Sequence, residues 1–485
     1  MTEAGIEAIA TYVPPGRLSV AELRRHWPGV AGPGGVSTVA VAGFDEDVVT
    51  MAVEACDGAL AAGRVGTAAV DLLVLATCSS PYAEHSAAAE VARALGLPSD
   101  AALVDLAGST VSGVTGLVVA ADAVRSGRCR RALVVASERR TGRPGTAVEA
   151  LGAGAAAALV SADGPVAIGR TASTRFGVPT RWRPDGERAL HHYDDARYEL
   201  MNQVVPAVTA VLADLRKDRH AFLAVGPLDV RSRSLLVRAV DPGAEGSSFE
   251  VEGTGDLGAA GPLFALAGAV GGEVGTAGVC MAVEPGSGAV GLRVALGGAI
   301  PVRHSRPAEI PVDYVGYLQR FGAVEGPVPP SPIVPYAATP GALRDDGEGS
   351  LTGSRCTACG SLNVPPRRRC IDCGGTTHVP ERAPRSGTIV TYNVQHVVAV
   401  HPEPSPVAVG VVRLTGEGGA RGGQVSAMVC DSDLEHLGVG SPVELVYRRL
   451  GADDGLVKYG WKVRVVPETG GAAATQGAAR GDARS

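Results

Sequence analysis

Between residues 5 and 302 the chain runs through one order of elements twice, and a repeat of that length leaves few folds open to it. The first pass has a strand over 5–12, a helix over 47–62 and the apolar run Asp-Leu-Leu-Val-Leu-Ala-Thr at 71–77, short enough for a buried strand. An Ala-rich helix at 85–95, a strand at 102–106 and a long apolar helix at 110–126, stopped by Gly127, follow. Two strands, 131–137 and 154–161, close the half. The second pass has a helix over 195–215, with Leu200, Val204, Val208 and Leu212 on one face, then a strand at 222–225, a helix at 230–240 and a strand at 249–252. A small-residue helix at 259–270 and two strands, 278–284 and 290–295, end it. Strands alternating with helices predict a largely parallel sheet covered by helices, and the shared ending predicts an internal duplication.

Beyond residue 305 the pattern changes. A short amphipathic stretch at 313–320 precedes an uncharged run, 326–343, that carries six prolines. Residues 306–349 therefore read as a linker with a short helix and little packing of its own. The run is about 18 residues long, the lower bound for a membrane span, but its prolines exclude a helix. Residues 381–467 alternate short β-branched strands with Gly, Asp and Pro turns, as small antiparallel barrels do. Residues 468–485 are expected to be disordered. With 45% hydrophobic residues the rest can bury a core, and a net charge of −6 removes the footprint of a general binder of nucleic acid or anionic membrane. The first residues lack a basic stretch followed by an apolar one, so a cytoplasmic location is expected.

Within 350–380, Cys356-x-x-Cys359 and Cys370-x-x-Cys373 are separated by ten residues, each pair followed by glycine. Two such turns close a tetrahedron of thiolates around Zn²⁺, and four thiolates leave no open position, so the zinc is read as structural. A ribbon followed by a barrel also suits a nucleic-acid module, but residues 381–467 hold nine basic and nine acidic side chains, which disfavours one.

The motifs Asp71-Leu-Leu-Val-Leu-Ala-Thr77, Asp105-Leu-Ala-Gly-Ser-Thr-Val-Ser-Gly-Val-Thr-Gly-Leu117, Leu151-Gly-Ala-Gly-Ala-Ala-Ala157, Gly255-Asp-Leu-Gly-Ala-Ala260 and Gly286-Ser-Gly288 follow one another in the order of the thiolase superfamily. Residues 1–305, in halves of about 1–165 and 166–305, resemble its ketoacyl synthase III and hydroxymethylglutaryl-CoA synthase members. The C-terminal part resembles the zinc-ribbon and OB-fold module associated with acyl-CoA. The resemblance implies a duplicated five-layer α/β fold, acyl thioesters of coenzyme A or of a phosphopantetheine carrier protein as substrates, and a homodimer. It also implies a catalytic Cys-His-Asn set that this chain lacks. Thr110 stands where the nucleophilic cysteine would open the buried helix, the histidine position falls near Gly226, and Asp256 replaces the asparagine. Cys78 stands where hydroxymethylglutaryl-CoA synthases carry a glutamate base, either as a pocket thiol or as a packed free cysteine.

Cys78, Thr110 and Asp256 are thus the candidate catalytic residues. Glu84 is a further candidate base or an exposed helix-start carboxylate, and His191 and His192 read as surface residues. Arg367, Arg368 and Arg369 read as a solvated face or as a contact for the 3′-phosphate of coenzyme A or an acidic carrier protein. Three functions remain open: a biosynthetic enzyme of acyl transfer or C–C bond formation without the usual triad, a retro-aldolase of acyl-CoA with Tyr82, Tyr193 or Tyr198 as acid, and a catalytically silent acyl-binding or scaffold protein.

Overall fold

The computed structural model describes residues 3–29, 36–146, 148–149, 151–175, 177–193, 195–215, 221–226, 230–240, 253–271, 277–324, 349–396, 406–415, 421–432, 434, 437–453 and 455–466. Among the described residues the duplicated region forms one ten-stranded sheet, in which Val302–Ser305 pairs in parallel with Gly5–Tyr12 beside the main path. In the first half the spatial order is Gly5–Tyr12, Ala153–Ser161, Arg131–Arg139, Leu72–Thr77 and Ala102–Ala107. The second half mirrors it from Val166–Thr174 through Gly288–Leu296 and Ala277–Glu284 to Phe222–Gly226. The halves meet where Gly5 and Ile6 pair antiparallel with Ala167 and Val166. Val166–Thr174 is absent from the sequence reading, and its run of exposed residues on an otherwise half-buried strand hides the alternation that would reveal it. The strand expected at 249–252 lies outside the described residues.

Five layers result. Helices Ser112–Arg125 and Gly261–Gly271 share a core with both halves of the sheet. Val48–Gly63 and Ala87–Leu95 cover the outer face of the first half, and Val205–Leu215 with Val230–Val240 cover that of the second. The central helix approaches the second half closely because Gly113 has no side chain: a Cβ there would lie 2.0 Å from the carbonyl oxygen of Ala259. That contact sets the start of the central helix against the loop carrying Asp256.

The helix expected over 195–215 is interrupted. Ala196–Tyr198 is α-helical, Glu199–Val204 is π-helical, and Val205–Leu215 is α-helical again. Pro206 accounts for the irregular turn, since it has no N–H and its ring would crowd the carbonyl four residues earlier.

The linker expectation needs correction over its first part. Ile310–Val312 pairs in parallel with Gly16–Ser19, and Tyr314–Phe321 buries Tyr314 and Tyr317 against Leu18, Leu23, Val39 and Val41. The proline-rich run lies outside the described residues, as does the tail. Thr352–Cys356, Leu362–Asn363 and His378–Arg382 form a three-stranded ribbon. Five antiparallel strands, in the order Arg421–Met428, Val407–Thr415, Ser386–Gln395, Pro442–Asp453 and Leu456–Val465, form a barrel nearly closed by a bridge between Val429 and Val463. Tyr447 and Tyr459 of the barrel join the core under Val48–Gly63. Among the described residues no helix is long and apolar enough to cross a membrane.

Candidate functional site

Loops at the carboxyl ends of strands Leu72–Thr77, Ala102–Ala107, Arg131–Arg139 and Ala277–Glu284 converge on the start of Ser112–Arg125, the end of the sheet at which α/β folds assemble their sites. Thr110 is buried just ahead of that helix. Its N–H donates to Glu284 Oε1 at 3.4 Å, its hydroxyl donates to the carbonyl of Val283 at 3.5 Å, and the neighbouring Ser109 hydroxyl donates to Glu284. The positive end of the helix, which would polarise a thiol or a carbonyl, therefore faces a carboxylate of the chain itself.

Cys78 is half-buried, and its N–H donates to Glu138 Oε1 at 2.9 Å. Burial and then the Glu138 charge push its thiol well up; Arg140 pulls less, and Glu284 adds to the rise. This is the reverse of an activated thiolate. Glu138 is fully buried and also accepts from the Ser79 hydroxyl at 2.7 Å and the N–H of Ala259 at 3.2 Å. Burial pushes its carboxyl up against the pull of Arg140 and these donors.

Asp256 accepts from Arg140 Nη2 at 2.8 Å and from the N–H of Gly258 at 2.9 Å. Arg140 Nε also lies 3.9 Å from Glu138, and Arg181 Nη1 lies 3.6 Å from the second oxygen of Asp256. Arg181 continues to Glu199 at 2.8 Å, on the π-helical turn. Burial pushes the Glu199 carboxyl up, but His192 and Arg181 draw it down to about 2. Cys78, Thr110 and Asp256 thus enter one charged cluster through Glu138, Glu284 and Arg140, and Asp256 is held by guanidinium groups. At the histidine position a side chain would be crowded: a Cβ on Gly226 would lie 3.1 Å from the backbone of Gly261 and Pro262.

Other expectations change. The side chain of His192 is only 4% exposed and lies 3.2 Å from Glu199, so it is not a surface residue, and that of His191 is 16% exposed beside Glu187. Glu84 is exposed, and Tyr193 and Tyr198 are 64% and 43% exposed. Tyr82 turns to the barrel, where its hydroxyl accepts from the N–H of Val457 at 2.9 Å. The sequence reading misses Glu138, Arg140, Arg181, Glu199 and Glu284. Charged residues directly after apolar strands, in Ala-Ser-Glu-Arg-Arg and Ala-Val-Glu-Pro, are the signal available for three of them.

In the ribbon, the sulfurs of Cys356, Cys359, Cys370 and Cys373 all lie within 4.8 Å of one another, and the pairs Cys356–Cys373 and Cys359–Cys370 are 3.6 Å apart. A zinc–sulfur bond of about 2.3 Å gives a tetrahedral edge of about 3.8 Å, so the residues fit the ion. A Cβ on Gly375 would lie 3.2 Å from two of the sulfurs and would crowd them.

Residues 346–379 match the ChsH2 rubredoxin-like zinc ribbon domain, and residues 381–448 match the ChsH2 C-terminal OB-fold domain. The hydroxymethylglutaryl-CoA synthase of Archaeoglobus fulgidus is 30% identical over 186 residues, which are 37% of this chain and 54% of that protein. The enzyme of the same name from Methanocella arvoryzae is 32% identical over 194 residues, 39% and 56% of the two chains. The chain therefore spans about half the length of the relatives it matches. Among solved structures, MvaS in complex with 3-hydroxy-3-methylglutaryl coenzyme A is similar with a TM-score of 0.54 at 20% identity, over 68% of this chain and 95% of that one. 3-Oxoacyl-(acyl carrier protein) synthase III, FabH from Pseudomonas aeruginosa PAO1, gives 0.54 at 22% identity, over 62% and 100%. The chain thus joins a domain similar in sequence to hydroxymethylglutaryl-CoA synthases and in fold to 3-oxoacyl-(acyl carrier protein) synthase III to regions that match the zinc-ribbon and OB-fold domains of ChsH2.

Proposed function

We propose that the chain is a biosynthetic enzyme of acyl thioesters, carried by coenzyme A or by a carrier protein, and that it performs acyl transfer or carbon–carbon chemistry without an acyl-cysteine. One observation carries this reading: Cys78 is held to Glu138 through its N–H, and burial and then the Glu138 charge raise its thiol, while the Thr110 hydroxyl meets only a backbone carbonyl and no base. In this reading the site orients a thioester and a nucleophile of the second substrate attacks directly. Intact mass after incubation with a panel of acyl-CoAs is expected to show no adduct, while coenzyme A release proceeds and survives Cys78→Ala. An adduct that disappears in Cys78→Ala overturns the direct route, and no turnover of any thioester leaves a silent acyl-binding protein.

The buried carboxyl of Glu138 favours a second reading, aldol cleavage, which needs a base and no acyl-enzyme. The base takes the proton of a β-hydroxyl, the Cα–Cβ bond breaks, and a carbonyl compound leaves a thioester enolate that is then protonated. Product analysis with β-hydroxyacyl-CoAs separates the two.

A cytoplasmic homodimer completes the proposal. Ala102–Ala107 ends the sheet, and its outward residues Leu103, Asp105 and Ala107 are exposed. A second copy of this edge would cover them. Light scattering is expected to give a dimer and, for Leu103→Lys, a monomer.

A further inference from the structure

We infer that the site takes thioesters of uncharged acyl groups and rejects those whose acyl chain ends in a carboxylate, such as malonyl and succinyl. This deepens the thioester reading above and rests on it. Four carboxylates, Glu138, Glu199, Asp256 and Glu284, reach the cluster from four separate segments of the chain, against two guanidinium groups, Arg140 and Arg181.

Both arginines are already paired with carboxylates of the chain. Arg140 is 9% exposed, with Nη2 on Asp256 and Nε directed at Glu138. Arg181 is divided between Glu199 and Asp256. His192 faces Glu199. Arg183 is exposed and donates to the carbonyls of Cys78, at 3.1 Å, and Glu187, at 2.9 Å, so it stands outside the cluster. A carboxylate brought to Thr110 or Cys78 would lose its water and come next to Glu284 or Glu138, with both guanidinium groups already sharing their charge with carboxylates of the chain. A methyl or an alkyl terminus brings no charge for those carboxylates to repel.

The test is equilibrium binding of matched pairs to the full chain at pH 7.5: propionyl-CoA against malonyl-CoA, and butyryl-CoA against succinyl-CoA. The uncharged member of each pair is expected to bind at least about tenfold more tightly, since a factor of ten corresponds to one unpaired interaction. Asp256→Asn and Glu284→Gln each remove one negative charge and are expected to narrow the ratio severalfold. Glu284 is only half-buried, so its variant keeps the test open if Asp256→Asn fails to fold. Equal or tighter binding of the dicarboxylic thioesters overturns the inference, as does a ratio unmoved in folded variants. If no thioester of either class binds, the thioester reading itself falls.

Discussion

Arg448 has no exposed surface, and its charge persists only because carboxylates surround it: Asp431 at 2.7 Å, Glu46 at 3.3 Å and Asp45 at 3.9 Å. Tyr12 donates its hydroxyl to Glu46. Burial pushes Glu46 up to about 7; Arg448 pulls it down, and Asp431 and Asp45 push it up. A carboxyl raised in the folded state from about 4.3 contributes stability below that value and loses the contribution as pH rises through about 7. Glu46→Gln keeps an acceptor for Tyr12 and removes the charge. Its melting temperature is expected to exceed that of the wild type by several degrees at pH 8.5, on the order of 3 kcal/mol, and to converge with it toward pH 4.5. A difference independent of pH would show that Glu46 does not titrate there. Cys78 gives a second test at this scale. Its alkylation by iodoacetamide is expected to be slow at neutral pH and to rise about three- to tenfold in Glu138→Gln, because the Glu138 charge is the largest cause after burial. Peptide mapping reads the rate.

The ribbon is an element with little apolar core of its own, holding its shape through four thiolates. Removal of zinc by a chelator under reducing conditions is expected to release one ion per chain and unfold the ribbon first, whereas Cys359→Ser is expected to bind zinc far more weakly. Spacing alone made this element legible, since Cys-x-x-Cys is a local signal. The order of strands and helices was legible for the same reason: each apolar period is local. The short helix Tyr314–Phe321 was legible but its packing was not, because the face it covers, around Leu18, Leu23 and Val41, lies about three hundred residues earlier, and no local pattern records that partner. The site was legible only in its losses. Thr110, Gly226 and Asp256 could be named by position, but Glu138, Arg140 and Glu284 meet only through the topology of both halves, and each alone reads as a charged turn residue.

At the scale of the molecule, the zero net charge of the barrel conceals a sorted surface. Arg382, Arg385, Arg448, Arg449, Lys462 and Arg464 all turn toward Asp45, Glu46, Asp47, Glu54 and Asp57 of the first domain. Glu54 and Asp57 are three apart on Val48–Gly63 and so lie on one side of that helix. Asp47 caps that helix through the N–H groups of Val49 and Thr50 and also accepts from the Tyr459 hydroxyl at 2.8 Å, so one carboxylate serves both the helix end and the interface. An interface of this kind couples two domains through charges that cannot be left unpaired. Arg448→Met retains most of the volume but strands Glu46 and Asp431 with Lys462 as the nearby cation at Asp45. Breaking a buried pair on one side costs about 3–5 kcal/mol, so calorimetry of the full chain is expected to show the barrel melting apart from the first domain at pH 8. At pH 5, where Glu46 keeps its proton, the loss is expected to be smaller, and Glu46→Gln in the same chain should restore part of it at pH 8. A single transition unmoved by Arg448→Met would mean that apolar contacts around Tyr447 and Tyr459, and not the ion pairs, hold the barrel in place.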